Sequence, residues 1–336
     1  MPAFSVSVAF FLLISSTSVI AGDLFDMLQR MSDADKEQNY QGVFILRKSD
    51  KLSTLRVTHG KDENGVWESL EALSGEPRKV IRRNDKVVSV FPDRELITIR
   101  NSANRKPLHP QLPENIERLE EFYSLNQLPD DRIANYQTLV VDLVPNDELR
   151  YGYRYWVDKN TGMLLRCDLV AEDDSVVEQM MFTSLDYLPQ TPPSGFDLKQ
   201  YEHYQQQLLD DPEAEASTEL PLQWAINTLP DGFILTQSTM RYTQSSLLEN
   251  AESMALSGQM SAQPDLLHLV YSDGLASVSV FIEKKQAGEK HLQGAATMGA
   301  VNAFGNSVEG YFVTVVGEVP EKTVRSMAQS AVRIAQ

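Results

Sequence analysis

Cysteine is almost absent from this sequence: Cys167 stands alone among 336 residues. No internal disulfide can form, and neither a CxxC redox pair nor a cysteine-rich zinc site is available. With Met163, Leu165 and Leu169 at alternate positions around it, Cys167 reads as a small buried apolar residue. Histidine is nearly as scarce: His59, His109, His203, His268 and His291 lie at no metal-ligand spacing. There is no GxSxG elbow, Walker loop or strand-linked GxGxxG. No metal, no cofactor and no catalytic set is therefore expected. Positive charge is short as well, with 30 Lys and Arg against 47 Asp and Glu and a formal net charge of −17. That balance argues against nucleic acid as a partner and against docking on an anionic lipid surface. The acidic pairs Glu120-Glu121, Asp130-Asp131 and Asp173-Asp174 read as solvated turn or helix-face charge, not as acid/base dyads.

One apolar run stands out, at residues 6–14, followed by small polar residues and Val19-Ile20-Ala21. It is too short to span a bilayer comfortably and fits a secretory signal peptide cut after Ala21. A buried N-terminal strand or an uncleaved anchor is the competing reading. Residues 23–38 then have helical spacing, with Leu24, Met27, Leu28 and Met31 on one face.

About ten short strands follow, divided by turn chemistry, at 43–47, 54–58, 66–72, 78–82, 87–91, 96–100, 138–144, 151–158, 164–171 and 176–185. Such a wide antiparallel sheet must curl or close. Residues 101–135 read as Pro-rich loop and helix, with the helical turn at 117–125. Residues 191–220 are Gln-rich and acidic and read as a linker. Beyond them a smaller unit is expected, with strands at 233–241, 266–272, 276–283 and 311–317. Its final helix starts at Pro320 and buries Val324, Met327, Ala328, Ala331 and Val332. The Gly- and Ala-rich stretch 294–310 reads as a mobile loop.

Two features invite a functional reading. Tyr151, Tyr153 and Tyr155 share one strand face, with Trp156 on the other; they are either packed core or the wall of an apolar cavity. Arg78, Lys79, Arg82, Arg83 and Lys86 form a basic run in an acidic chain. They are either a solvated sheet edge or a contact for phosphate or carboxylate.

Several long stretches together resemble the MucB/RseB family. They are "NYQGVFILR", "SGEPRKVIRRNDKVVSVFPD", "RYGYRYWVDKNTGMLLRCDLV", "EQMMFTSL", "LVYSDGLASVSVFIE" and "GYFVTVVGEVPEKTVRSMAQS", in that order. The resemblance implies a periplasmic regulator of the envelope stress response. Such a protein binds the periplasmic region of a membrane-spanning anti-sigma factor, shields it from regulated proteolysis, and is released by lipid-bearing ligands such as lipopolysaccharide or lipoprotein acyl chains. It also implies an α+β fold: a large curled antiparallel half-barrel, similar to the LolA/LolB lipoprotein carriers, with lid helices, and a smaller α+β C-terminal domain. The expected division is 1–21 signal peptide, 22–190 lipid-binding domain, 191–220 linker and 221–336 anti-sigma-binding domain. A homo-oligomer is compatible with it. A lipoprotein or lipid carrier is the alternative function, and an exported hydrolase the third.

Strand alternation supplies the cavity-facing set: Phe44, Leu46, Leu55, Val57, Leu70, Val88, Val90, Ile97, Ile99, Val141, Leu143, Tyr153, Tyr155, Leu165, Met180 and Phe182. Arg78, Lys79, Arg82, Arg83 and Lys86 are the expected anionic-ligand contacts. Ser277, Ser279 and Phe281, on one face of the "LVYSDGLASVSVFIE" hairpin, are expected to offer an edge or shallow groove to the anti-sigma factor, unless both faces of that hairpin are buried.

Overall fold

The computed structural model describes residues 21–101, 116–193, 199–209, 223–241, 265–285 and 291–334. The expected signal peptide and its cleavage site lie, up to residue 20, outside the described residues. Among the described residues no helix is long and apolar enough to cross a membrane.

Helix α1 (Ala21–Glu37) leads into β1 (Tyr40–Lys48), β2 (Lys51–Asp62), β3 (Gly65–Ala72), β4 (Lys79–Arg83), β5 (Lys86–Phe91) and β6 (Leu96–Asn101). After a 3₁₀ turn (Ile116–Glu121) come β7 (Tyr123–Ile133), β8 (Tyr136–Pro145), β9 (Gly152–Asp158), β10 (Leu164–Val170) and β11 (Val176–Tyr187). A further 3₁₀ turn (Lys199–Tyr201) precedes β12 (Gln205–Leu209). These strands form one curled, open sheet in the order β12-β6-β5-β4-β3-β2-β1-β11-β10-β9-β8-β7. It is not a closed barrel. Neighbours are antiparallel except β12, which runs parallel to β6. The joint between β1 and β11 carries a bulge at Val43/Phe44. Gly42 makes it possible: a Cβ there would lie 2.6 Å from the Ser184 carbonyl oxygen and 2.9 Å from the Phe182 ring.

The second unit holds β13 (Trp224–Ile226), β14 (Ile234–Arg241), β15 (Leu266–Ser272), β16 (Ser277–Lys284), β17 (Gly294–Met298), β18 (Val301–Val308), β19 (Tyr311–Gly317), α2 (Glu321–Gln329) and β20 (Ala331–Arg333). Its main sheet has the order β14-β15-β16-β19-β18-β17, and β13 pairs with β20. Val278, Val280 and Ile282 of β16 bury completely against a core that includes Val324, Met327 and Ala328 of α2. Each unit has its own apolar core, and that of the first also takes in Ala300 of the second.

Four expectations need correction. The stretch read as loop and helix before residue 135 contains β7. That strand ends the sheet and is mostly exposed, so it lacks apolar alternation, and Pro129 sits at its bulge, where the missing N–H costs no ladder bond. The linker is partly structured, because Gln205–Leu209 adds to the opposite edge. Residues 294–310 are a β-hairpin, not a loop. Small residues are needed there: a Cβ on Gly305 would fall 1.8 Å from the Leu292 carbonyl oxygen. The last helix stops at Gln329, so Ala331 and Val332 lie on a strand, and Val332 is 38% exposed.

Candidate functional site

The register assigns each expected cavity residue to a face, because directly paired residues point the same way. Phe44 faces Leu55 across β1 and β2, and Val57 faces Leu70 across β2 and β3. On the other flank Leu46 pairs with Met180 and Phe44 with Phe182; Met180 pairs with Cys167, which pairs with Tyr155. Tyr155 pairs with Val141, and Tyr153 with Leu143. These residues and Leu165 form one apolar cluster with Leu24, Met27, Leu28 and Met31 of α1 and with Leu119 and Tyr123; Leu46 and Leu55 pack at its margin. The amphipathic stripe of α1 is therefore the cover of the inner face. Phe44 and Phe182 lie 5.6 Å apart, and Tyr153 stacks on Tyr155 at 5.9 Å.

Within this cluster the Tyr155 hydroxyl is fully buried with no hydrogen-bond partner among the described residues. Burial, then the neighbouring Cys167, pushes its phenol far above the ordinary range. Burial, then Asp168, also pushes the Cys167 thiol up, so it is an inert thiol, as a buried apolar cysteine should be.

Val88, Val90, Ile97 and Ile99 are not part of this face. Val80, the partner of Leu70, pairs with Ser89, while Val88 pairs with Ile81 and Ile99, and Val90 with Ile97. The four therefore point to the opposite side of the sheet, in their own cluster with Tyr201 and Tyr204. The apolar side of the sheet changes face between β2 and β5. β3 is the crossover, with Leu70 buried on one side and Trp67 on the other. A strand such as "KVVSVF" is apolar in both phases, so alternation alone could not choose.

The basic run lies on β4 and its flanks. β4 is paired on both sides, so the run is not a sheet edge. Arg83 forms an ion pair with Asp62 at 2.7 Å. Lys79 stands across from Glu71, and Arg82 across from Glu68. Arg78 and Lys86 are exposed. Arg82 shares the side of Leu70 and Val57, so its positive charge sits beside the inner apolar face, and Arg78 precedes β4.

Ser277, Ser279 and Phe281 share the outer face of β16. Phe281 stacks on His268 with centroids 4.4 Å apart, and Ser279 Oγ lies 3.0 Å from His268 Nε2. β16 is flanked by β15 and β19, so it has no free edge, and the expected strand-addition site there is ruled out. A partly exposed face remains.

A buried polar cluster that no local sequence signal marks lies where the two units meet. The Arg150 side chain is wholly buried. Its Nη1 donates to Asp273 Oδ2 at 2.6 Å, and its Nη2 to Asp147 Oδ2 at 2.8 Å and to the Asp231 carbonyl at 2.7 Å. The rings of Phe122, Tyr123 and Phe233 surround the guanidinium at 5.2–5.6 Å. The Tyr123 hydroxyl donates to Asp273 Oδ2 at 3.1 Å, and burial and that carboxylate push its phenol well up. Among the described residues, no group of His, Cys, Asp and Glu could hold a metal ion.

Comparison with known proteins agrees with this architecture. Residues 23–205 match the MucB/RseB N-terminal domain model and residues 218–332 the MucB/RseB C-terminal domain model. The sigma factor AlgU regulatory protein MucB of Pseudomonas aeruginosa is 28% identical over 315 residues, covering 92% of this chain and 91% of that protein. The sigma-E factor regulatory protein RseB of Haemophilus influenzae is 25% identical, covering 90% and 89%. The solved complex of Pseudomonas aeruginosa MucA and MucB superposes with a TM-score of 0.68 at 25% identity, covering 94% of this chain and all (100%) of that one. A crystal structure of MucB with MucA(peri) gives 0.65, covering 93% and 99%. With both domain models matched in order along most of its length, the chain belongs to the MucB/RseB family.

Proposed function

We propose that this protein binds the periplasmic region of a membrane-spanning anti-sigma factor, shields it from regulated proteolysis, and releases it when lipid-bearing molecules occupy the first unit. The observation that supports the first part is the match to MucB along both units, including a MucB structure with MucA(peri) bound. The lipid part is supported by the apolar inner face under α1, with an unpartnered Tyr155 hydroxyl within it and Arg82 beside it. An acyl chain transfers about 0.8 kcal/mol per buried CH₂ out of water, and the positive rim suits phosphate. Export to the periplasm, with residues 1–21 removed, goes with this reading. So does the division into a lipid unit to about residue 190, a linker to 220, and an anti-sigma unit beyond.

The test is competition on the full chain. A labelled anti-sigma periplasmic peptide should bind the purified protein, and lipopolysaccharide should release it. Binding that lipopolysaccharide leaves untouched removes the lipid half of the proposal. Arg78→Glu with Arg82→Glu should weaken lipopolysaccharide binding by at least several-fold and flatten its salt dependence, because attraction becomes repulsion. An unchanged salt slope means that these cations serve only local pairing.

Phe281→Ala tests the docking face. Its ring covers His268 and is partly exposed, so stability should fall by only about 1 kcal/mol. Peptide affinity should fall at least tenfold if the outer face of β16 is the dock. Unchanged affinity places the dock elsewhere.

A further inference from the structure

We infer that the Arg150 cluster is a latch that closes the acyl-binding face, so that an acyl chain and the docked second unit compete. The inference rests on the acyl-binding reading above and names how that site is regulated. Two turns of the second unit reach into the first unit's core. Leu275, in the β15–β16 turn, packs against the inner-face cluster, and Ala300, in the β17–β18 turn, is completely buried in it. Gly299 abuts the first unit so closely that a Cβ would lie 3.1 Å from Ser49 Oγ.

Tyr123 joins the two systems. Its ring belongs to the apolar cluster, while its hydroxyl bonds Asp273. Asp273 Oδ1 in turn accepts the backbone N–H groups of Leu275 and Ala276, so one carboxylate both shapes the inserted turn and holds Arg150. A chain that needs the volume occupied by Leu275 or the Tyr123 ring must displace the contacts that hold Asp273.

Among the described residues the joint also holds polar contacts: Asn302 Nδ2 to Tyr151 Oη at 3.1 Å, Thr323 Oγ1 to the Leu149 carbonyl at 2.7 Å, and Lys322 to Glu148 and Glu172 at 2.6 and 3.3 Å, beside Gly232 packed on the Phe122 ring. Polar interdomain surfaces separate more readily than apolar ones, since each group regains water. The buried ion pair makes the closed state specific in geometry without making it irreversible.

The experiment uses the full chain and a fluorescent long-chain fatty acid. Arg150→Met leaves Asp147 and Asp273 without their shared cation, so the latch should open. Fatty-acid affinity should rise about tenfold while anti-sigma peptide affinity falls. With the variant's fold confirmed by circular dichroism, an unchanged or lower fatty-acid affinity overturns the latch. Ser49→Cys with Gly299→Cys tests the opposite direction and stands if Arg150→Met does not fold. Oxidation should lock the units and cut fatty-acid affinity at least tenfold, with reductant restoring it. Strain from the positive φ of Gly299 is common to both redox forms. Equal binding by the oxidised and reduced forms overturns the inference. A parent protein that binds no fatty acid overturns the acyl reading itself.

Discussion

Asp273→Ala is expected to destabilise the joint between the two units by about 3–5 kcal/mol, the usual loss when one partner of a buried ion pair is removed. The loss has two parts. Removing Oδ2 strands the Arg150 guanidinium, wholly buried, with only Asp147 left to balance it, and also strands the Tyr123 hydroxyl. Removing Oδ1 frees two backbone N–H groups in the turn that carries Leu275. Denaturant titration followed by tryptophan fluorescence reads both units, since Trp67 and Trp156 lie in the first and Trp224 in the second. A transition that was single in the parent should split, because the units no longer unfold together. Asp273→Leu combined with Arg150→Met should cost less than Asp273→Ala, because no cation is then stranded. A cost under about 1 kcal/mol for Asp273→Ala would falsify the view that this cluster couples the units.

What the sequence could reveal here depended on whether a strand has one apolar face. β1 and β11 alternate against one buried side, and Phe44, Met180 and Phe182 follow from period two; β9 is buried on both faces, Trp156 as well as Tyr153 and Tyr155, so alternation alone does not choose between them. β5 is apolar in both phases because the sheet changes its buried side around β3. Its facing is set by pairing with β4 and β6, which no single strand reports. β7 and β12 are the two ends of the sheet. Solvated on most positions, they carry no hydrophobic period, and their sequences look like loop and linker.

The Arg150 cluster was hidden for a different reason. Arg150 and Asp273 are 123 residues apart, and each looks ordinary locally, Asp273 as the aspartate of a turn and Arg150 as a lone base before a tyrosine-rich strand. A pair of that separation becomes visible only when the two sheets are placed together. The hairpin at 269–283 illustrates both cases. Its buried face, Val278, Val280 and Ile282, follows from alternation. The function of its tip does not, since the turn chemistry of Ser272-Asp273-Gly274 gives no sign that Asp273 faces another unit.

Phe44→Ala should lower the stability of the first unit by about 3–5 kcal/mol, as for a fully buried aromatic, and its melting temperature by roughly 2–4 °C per kcal/mol. Phe44 is 1% exposed, sits at the bulge where β1 meets β11, and packs against Phe182 beneath α1. The removed ring leaves an apolar void that the bulge cannot easily close, because the strands on both sides are fixed in register. If the inner face receives acyl chains, that void lies within the ligand's own site. A fatty acid should then restore more stability to Phe44→Ala than it adds to the parent, since it fills volume that the variant leaves empty. Differential scanning fluorimetry with and without the fatty acid measures both terms. Equal stabilisation of parent and variant would place the chain away from Phe44, outside the cluster under α1, and a destabilisation under about 1 kcal/mol would mean that the cluster relaxes around the missing ring.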